Sequence, residues 1–425
     1  MTDTFKRFDM AKPLRRQSLI LRNFIKLVSI AQLKRHKTRI IRNGVDDLKP
    51  PYILLCNHNA FFDFFVAASC VYPFRANYVV AIDGFTMPVG KRGFISREKI
   101  MRAAGCICKR KFTNDIMLVR QIQRILENGD VAVLYPEARY SLCGTNAVLP
   151  DSLGKLCKLF KVPVVTLICH GHHVNSPFWN VGDKRLYTEA EFSLLYTTDE
   201  LTRKPLAEIN EGIRNRFTYD DFRWVKEKNI RIRSPLRAAG LHKVLYQCPV
   251  CRTEYQMASE DDRIFCKACN TTWTMAEDGS LSAEDGSGFS HIPDWYEWER
   301  SNVRAEVEAG KYGITLPVRV DSLPNSKGYI NLGTGTMTHD GSGFHVEVRG
   351  DHGSFEMYKP VPSLYSCHIE YEYLNRFGDC IDLNTLQDTW YIYPKGSEFS
   401  VTKIALATEE QYEYDKRKKA QAVTQ

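Results

Sequence analysis

Short apolar runs alternate with helical patterns between residues 50 and 200, and this alternation restricts the possible fold more than any other feature of the sequence. Strands that alternate with helices are typical of a mostly parallel α/β sheet flanked by helices. The segment Glu127-Asn128-Gly129-Asp130 marks a helix end just before a strand. The predicted strands are 52–56, 77–82, 105–108, 131–135, 163–169 and 185–197, and the predicted helices are 60–70, 97–104, 115–128, 151–161 and a pair within 205–228.

A histidine and an aspartate follow the strand predicted at 52–56. His58 and Asp63 are five residues apart, about 500° on an ideal helix, so they meet only if His58 lies on the turn and Asp63 in the next helix. Asp63 would then accept a hydrogen bond from one imidazole nitrogen and leave the other as a base. For an isolated His-Asp pair, the alternative is a histidine whose hydrogen bonds are satisfied within a turn and that has no catalytic role.

Four segments in order resemble the motifs of the glycerolipid acyltransferase family, the lysophosphatidic acid acyltransferase group. They are the His-x4-Asp block 57–63, the glycine-to-cation run 105–110, the aromatic-Pro-Glu block 135–141 and the proline-led strand 162–165. The resemblance covers residues 45–230 and implies the α/β fold described above. It also implies transfer of a fatty acyl group from acyl-coenzyme A or acyl carrier protein to a glycerol-phosphate or lysophospholipid hydroxyl, as in a 1-acylglycerol-3-phosphate O-acyltransferase.

The same resemblance implies the roles of individual residues. His58 and Asp63 would be the catalytic pair, with His58 as the general base and Asp63 holding its tautomer. Glu137 and Arg139 would help to hold the glycerol-phosphate part of the acceptor, and no catalytic metal is expected. The acceptor- and phosphate-binding candidates are Gly105, Lys109, Arg110, Lys111, Glu137, Arg139 and Ser141.

Two of these blocks depart from the family pattern, and both departures concern acceptor binding. The third block runs Glu137-Ala138-Arg139, one residue shorter than the usual Glu-Gly-Thr-Arg, so Ser141 is a candidate for part of the arginine's role. In the second block the cation six residues after Gly105 is Lys111. A solvated loop is the alternative for the run 109–111. The histidines at 170, 172 and 173 lack the pattern of a metal site and are expected near the mouth of the site or in a polar loop.

Four cysteines are spaced as two Cys-x2-Cys pairs, and this spacing predicts a structural Zn²⁺ site in a zinc ribbon. Four thiolates leave no open position for water, so the metal would not be catalytic. The acidic run 260–262 between the pairs argues against a nucleic-acid surface. The predicted ligands are Cys248, Cys251, Cys266 and Cys269.

Positive charge is concentrated at the N-terminus. Residues 1–50 contain 13 Lys and Arg and 4 Asp, whereas the whole chain has a net charge of only +8. Residues 14–37 are expected to form a basic amphipathic helix with Ile20, Phe24 and Val28 on one face, too short in its uncharged part to span a bilayer. An anionic membrane surface is the expected partner, and packing against the protein's own core is the alternative. With cysteines in apolar runs and no secretory leader, we expect a cytoplasmic protein, peripheral on the cytoplasmic face of a membrane.

Composition changes after the zinc ribbon. A Gly-, Ser- and Asp-rich linker is followed by a helix, then by short strands with glycine turns and a final charged helix, an outline similar to a pleckstrin-homology domain. The predicted domains are an N-terminal helix (1–44), an acyltransferase domain (45–235), the zinc ribbon (246–275), a linker and helix (276–312) and an antiparallel β domain closed by a helix (313–425). Two other functions remain open, a non-catalytic lipid-binding scaffold on the same fold and a zinc-ribbon nucleic-acid binder.

Overall fold

The chain divides into two units in the computed structural model, which describes residues 5–86 and 96–424. The first, called the α/β unit, contains the described residues of 8–109 and 114–230. The second, called the C-terminal unit, contains the described residues of 1–7, the short segment 110–113 and residues 231–425. The chain therefore passes from one unit to the other several times.

Seven strands form the sheet of the α/β unit, in the order β1-β7-β6-β2-β5-β3-β4. Strands β2 to β6 run parallel to one another, whereas β7 is antiparallel to β6 and parallel to β1. The predicted mostly parallel sheet is confirmed. The strands are β1 (Arg39–Asn43), β2 (Tyr52–Cys56), β3 (Ala76–Ala81), β4 (Cys106–Lys109), β5 (Val131–Leu134), β6 (Val164–His170) and β7 (Glu189–Tyr196).

Nine helices accompany this sheet in the described part of the unit. Two short ones, α6 and α7, fall where the sequence pattern predicted none. The other seven overlap the predicted helices. The helix α4 begins one residue after the predicted start, because Asp115 caps it by accepting a hydrogen bond from Leu118 N. The helices are α1 (Leu19–Arg35), α2 (Asp63–Val71), α3 (Arg97–Ala103), α4 (Ile116–Glu127), α5 (Ser152–Phe160), α6 (His172–Asn175), α7 (Thr198–Arg203), α8 (Leu206–Phe217) and α9 (Asp221–Glu227).

The strand β2 lies at the centre of the sheet, and all five of its residues are buried. Its neighbours are β5 on one side and β6 on the other, both parallel to it. The chain passes from β2 to β3 and β4, returns to β5, and then crosses to β6 on the far side of β2. In open parallel sheets, such a change of direction opens a crevice at the carboxyl ends of the strands. The segments that follow β2, β5 and β6 meet at the carboxyl ends of these strands.

Helix α1 exposes part of the apolar face that the helical wheel predicted. Ile20 and Phe24 from that face are exposed, whereas Val28 is partly buried, and α1 packs against α2. The exposed large apolar side chains of α1 are Leu19, Ile20, Phe24, Leu27 and Ile30. No helix in the described ranges has both the length and the apolar character needed to cross a membrane.

Two antiparallel sheets and two long helices make up most of the C-terminal unit. The smaller sheet has the order β11-β10-β9-β8, and the larger has the order β15-β14-β13-β12-β18-β17-β16. The helices, α10 (Ile292–Glu308) and α11 (Val401–Thr424), pack on each other, with Arg300 Nη1 2.7 Å from Glu409 Oε2. The strands are β8 (Met257–Glu260), β9 (Arg263–Cys266), β10 (Thr272–Met275), β11 (Leu281–Ala283), β12 (Ile314–Ser322), β13 (Ile330–Asp340), β14 (Gly343–Gly350), β15 (Gly353–Pro360), β16 (His368–Glu370), β17 (Cys380–Asn384) and β18 (Thr389–Pro394).

The larger sheet and its final helix agree in outline with the antiparallel domain expected from the sequence, and the likeness to a pleckstrin-homology domain stays a prediction. The strand β11 lies near the start of the segment 276–312, in the part that was expected to be a linker.

Candidate active site

His58 and Asp63 meet in the turn between β2 and α2. His58 comes two residues after the end of β2, and Asp63 is the first residue of α2. His58 Nδ1 lies 3.2 Å from Asp63 Oδ2, and the same oxygen accepts the backbone N–H groups of Asn59 (2.6 Å) and Ala60 (3.0 Å). The side chain of Asp63 is fully buried, whereas that of His58 is 23% exposed. The buried carboxylate is therefore held in place by backbone amides, and the imidazole is partly exposed to solvent.

The other oxygen of Asp63 binds a second histidine. His172 Nδ1 lies 2.5 Å from Asp63 Oδ1, and the ring is fully buried. The Nε2 atom of His172 has no hydrogen-bond partner among the described residues. Burial alone would raise the pKa of Asp63, but the hydrogen bonds and charges of His172 and His58 outweigh it and lower this pKa to about 2. Asp63 is thus held as a carboxylate between two imidazoles.

The two other histidines of the run after β6 lie in different surroundings. His170 Nε2 is 3.4 Å from Glu191 Oε1, and burial lowers the pKa of His173 to about 3. The three rings do not form one metal site. Asp63, Cys169 and His172 do have potential ligand atoms within 4.8 Å of one another. However, burial raises the pKa of the Cys169 thiol well above its usual value, which favours a hydrogen-bonded network over a metal centre.

Two asparagines fix the backbone on either side of His58. Asn57 pairs with the backbone of Cys169, donating to its O (3.0 Å) and accepting from its N (2.8 Å), which joins the end of β2 to β6. Asn59 Nδ2 donates to the same carbonyl (3.2 Å), and Tyr219 Oη donates to Asn59 Oδ1 (2.6 Å). Sequence reasoning assigned no role to these residues, although the polar triplet 57–59 at the end of an apolar strand was visible.

Glu137 braces the His58 turn from the end of β5. Its Oε2 accepts the backbone N–H of His58 (2.7 Å), and its Oε1 accepts that of Ala147 (2.7 Å). The side chain is buried, and burial outweighs these hydrogen bonds and raises the pKa of Glu137 to about 7. Because both oxygens bind backbone amides, the geometry gives Glu137 a bracing role, and direct contact with an acceptor stays a prediction.

Arg139, Ser141 and two tyrosines complete the loop after β5. Arg139 is buried, with Nη1 3.4 Å from Tyr140 O. Ser141 N donates to His58 O (2.9 Å), and its hydroxyl closes the turn by donating to Thr145 O (2.6 Å). The rings of Tyr135 and Tyr140 lie 4.5 Å and 4.2 Å from the ring centre of His58. These contacts limit the rotation of the imidazole.

The predicted cations of the second block do not share one environment. Gly105 precedes β4 with φ +91°, and a Cβ there would lie 2.5 Å from Ala76 O, so the glycine is required by the backbone. Lys109 is the last residue of β4, at the carboxyl end of the parallel strands, where His58 also lies. Burial lowers the pKa of Lys109. Arg110 and Lys111 belong to the C-terminal unit instead.

In that unit Arg110 and Lys111 act as anchors. The buried Arg110 donates 2.7–3.0 Å hydrogen bonds to Thr389 Oγ1 and to carbonyls that include Leu323 O, and Lys111 Nζ pairs with Asp382 Oδ2 at 2.7 Å. The expectation of two phosphate-binding cations here is therefore not favoured by the geometry, because both Nη atoms of Arg110 and the Nζ atom of Lys111 already donate hydrogen bonds within the protein.

The four predicted zinc ligands come together in the C-terminal unit, and their sulfur atoms lie within 4.8 Å of one another. Cys248 Sγ is 3.7 Å from Cys269 Sγ, and Cys251 Sγ is 3.7 Å from Cys266 Sγ. A tetrahedral Zn²⁺ with Zn–S bonds of about 2.3 Å requires S–S separations of about 3.8 Å. The cluster therefore fits a structural metal ion.

Comparison with known proteins gives a family for part of the α/β unit. A family model described as Acyltransferase matches residues 31–170, about a third of the chain. No curated protein sequence matches at a significant level. Among solved structures, the chain is similar to the 1-acyl-sn-glycerophosphate (LPA) acyltransferase PlsC from Thermotoga maritima. That likeness has a TM-score of 0.35 and 11% identity, and covers 46% of this chain and 76% of that one. The region matched by the family model contains β2, α2, β5 and β6, and with them His58, Asp63 and Glu137. Residues 31–170 of this chain are thus similar to the acyltransferase family.

Proposed function

We propose that the protein transfers a fatty acyl group from an acyl thioester to the hydroxyl of a glycerol-phosphate or lysophospholipid acceptor. The observation that carries this proposal is the partly exposed imidazole of His58, whose Nδ1 lies against the buried carboxylate of Asp63. A histidine held in this way presents its Nε2 lone pair to a substrate. The acyltransferase match over the same residues gives the reaction class.

In the proposed reaction, His58 Nε2 accepts the proton of the acceptor hydroxyl while the hydroxyl oxygen attacks the thioester carbonyl carbon. Asp63 stabilises the resulting imidazolium. Collapse of the tetrahedral intermediate breaks the C–S bond, and the proton moves from His58 to the leaving thiolate. The products are the oxygen ester and the free thiol of coenzyme A or acyl carrier protein.

For the phosphate of the acceptor we propose Lys109 and Arg139. Lys109 is the last residue of β4, at the carboxyl end of the parallel strands, where His58 also lies. Arg139 lies in the loop in which Ser141 N donates to the His58 carbonyl. Arginine suits a phosphate because it can donate two parallel hydrogen bonds. Glu137, Gly105 and Ser141 are assigned to supporting this loop and strand, and Arg110 and Lys111 to anchoring the C-terminal unit.

We further propose a structural Zn²⁺ at Cys248, Cys251, Cys266 and Cys269, supported by the sulfur separations. The backbone around the two pairs repeats, since Arg252 N donates to Cys248 O and Asn270 N to Cys266 O, each at 2.9 Å. Bound there, the ion would hold the two loops of the small sheet together and take no part in acyl transfer.

We also propose that the protein acts on a membrane surface, on the cytoplasmic face. The support is helix α1, which exposes apolar side chains and carries basic residues in its last turn. A hydroxyl acceptor with a long acyl chain resides in the bilayer, so an enzyme that uses it benefits from attachment there.

The test is acyl transfer from a labelled acyl-coenzyme A to a panel of glycerol phosphates and lysophospholipids. His58→Ala should lower turnover by about 10²–10⁴-fold, the usual contribution of a positioned base. Asp63→Asn should act in the same direction, because an amide stabilises the imidazolium poorly. His345→Ala, at a partly exposed histidine of the C-terminal unit, is the matched control and should have no effect.

Near-normal transfer by His58→Ala, with an acceptor that the parent protein uses well, would disprove the enzymatic proposal. The lipid-binding alternative would then be favoured.

A further inference from the structure

We propose that a cationic groove beside helix α1 binds the phosphate headgroup of an anionic membrane phospholipid, at a site separate from the acyl-transfer chemistry. The groove has a volume of about 610 Å³ and is lined by residues of α1, β1, α2 and the α1–β1 connection. None of its lining residues is among those that contact His58 or Asp63 in the candidate active site. The inference extends the membrane-surface part of the proposed function and does not depend on the chemistry of His58.

Charge gives the first argument for an anionic ligand. Lys26, Lys34, Lys37 and Arg42 line the groove, and no described carboxylate lines it. Lys34 and Lys37 are exposed and form no ion pair with any described residue. Among the described residues Arg42 forms an ion pair with Asp46, an exposed contact that contributes little, and lies over the ring of Phe192. Four cations gathered around one groove with no carboxylate in its lining repel one another, and an anion between them relieves that repulsion.

A buried hydroxyl gives the second argument. Ser69 on α2 lines the groove, is 8% exposed, and its Oγ has no hydrogen-bond partner among the described residues. A buried polar group without a partner is costly and therefore uncommon in native proteins. A phosphate oxygen in the groove would accept a hydrogen bond from this hydroxyl while the lysines balance the charge.

The apolar stripe of α1 identifies the source of the phosphate as a lipid. Ile20, Phe24 and Leu27 are 82%, 60% and 67% exposed, and Ile30, further along the stripe, also lines the groove. A 17-residue helix is about 25 Å long, so it can lie in the plane of the membrane interface with its stripe among the acyl chains. The groove cations would then lie at headgroup depth. A soluble phosphate would make no use of the stripe.

The experiment is co-sedimentation of the full chain with vesicles of phosphatidylglycerol and phosphatidylcholine, compared with vesicles of phosphatidylcholine alone. The groove variant is Lys34→Glu with Lys37→Glu, two changes at exposed positions. Its matched control is Lys155→Glu with Lys226→Glu, which alters net charge equally on other exposed helical positions. The stripe variant is Ile20→Ser with Leu27→Ser.

We expect the groove variant to lose about tenfold or more of its affinity for the anionic vesicles, since each cation near an anionic surface contributes several-fold. Its control should lose less than threefold, and Ser69→Ala should weaken binding in the same direction as the groove variant. The stripe variant should bind both kinds of vesicle less well. Circular dichroism of each variant checks that the helices remain folded.

Equal losses in the groove variant and its charge-matched control would overturn the proposal, because net charge alone would then explain the binding. Competition by millimolar inorganic phosphate at constant ionic strength would also overturn it, in favour of a soluble anion.

The acyl-transfer assay in detergent with a soluble glycerol-phosphate acceptor separates the two proposals. The groove variant should retain full transfer there, and its loss would assign the groove to the acceptor site instead. If the parent protein showed no transfer at all but the vesicle results held, only the proposed enzymatic function would fail.

Discussion

A single buried carboxylate organises the candidate site at the scale of residues. Asp63 accepts from two imidazoles and two backbone amides, and it does so from the first turn of α2, where the helix dipole also favours a negative charge. His58 could be found from the sequence because its partner is five residues away. His172 could not, because it is 109 residues from Asp63 and only the neighbouring positions of β2 and β6 bring them together.

His172 is therefore expected to act through Asp63 as a positioning residue. His172→Leu removes a charge-assisted hydrogen bond worth about 1.5–3 kcal/mol, so kcat should fall about 10–100-fold with little change in the acceptor KM. His172→Asn can place a donor near the position of Nδ1 and should restore much of the rate. Steady-state kinetics of both variants checks this. Equal loss in the two variants would indicate that the ring matters only for packing.

Glu137 should make the stability of the protein depend on pH. Its pKa rises from an ordinary 4.5 to about 7, so the folded state binds this proton more tightly than the unfolded state. The stabilisation is therefore fully present below about pH 4.5 and is lost as the pH rises through 7, a change of about 3 kcal/mol.

Urea unfolding at pH 5 and pH 8 measures this effect. The parent protein should lose about 2–3 kcal/mol more than Glu137→Gln between these pH values, because the amide does not titrate. Glu211→Gln, at an exposed position of α8, should behave like the parent. An identical pH dependence in parent and Glu137→Gln would show that Glu137 does not titrate in this range.

At the scale of elements, hydrophobic periodicity located nearly every strand of the α/β unit, because strands buried on both faces read as continuous apolar runs. Periodicity does not encode direction or neighbours. It could not show that β7 pairs antiparallel with β6, or that β1 pairs with the other side of β7 as an edge strand. It also missed α6, whose four residues are too few for a helical period, yet α6 carries His172.

The small four-stranded sheet should depend on its metal. Purified protein should contain about one zinc per chain, and Cys248→Ser should release it and loosen β8 to β10. Cys70→Ser, at a buried cysteine of the α/β unit, is the matched control and should keep the zinc. Elemental analysis together with hydrogen exchange over residues 246–275 provides the measurement. Zinc content unchanged by Cys248→Ser would reject the assignment of the ligands.

At the scale of the whole molecule, the two units do not correspond to two consecutive pieces of sequence. The segment 110–113 leaves the end of β4 and belongs to the C-terminal unit. A glycine followed by a cationic run resembles a family motif, so the sequence made Lys109, Arg110 and Lys111 candidates for phosphate binding, with a solvated loop as the alternative. The partners of Arg110 are 213 to 279 residues away, which local sequence cannot reveal.

Arg110→Met should therefore weaken the C-terminal unit and leave phosphate recognition intact. The carbonyls and the Thr389 hydroxyl around it would lose buried donors, a cost of about 2–4 kcal/mol. Hydrogen exchange in β12 and β18 should speed up, while the acceptor KM of the folded protein stays the same. Arg120→Met, at an exposed position of α4, is the control. A raised KM with unchanged exchange would return Arg110 to the phosphate site.

The attachment of Arg110 also sets an order of events during biosynthesis. A ribosome that adds about 5–20 residues per second needs about 15–60 s to travel the 279 residues from Arg110 to Thr389. Once residue 196 has been added the nascent chain contains all of β1 to β7, but the Thr389 hydroxyl that binds Arg110 has not yet been made. The loop after β4 can reach its final form only when almost the entire polypeptide has left the exit tunnel, so a prematurely terminated product would carry that loop unanchored.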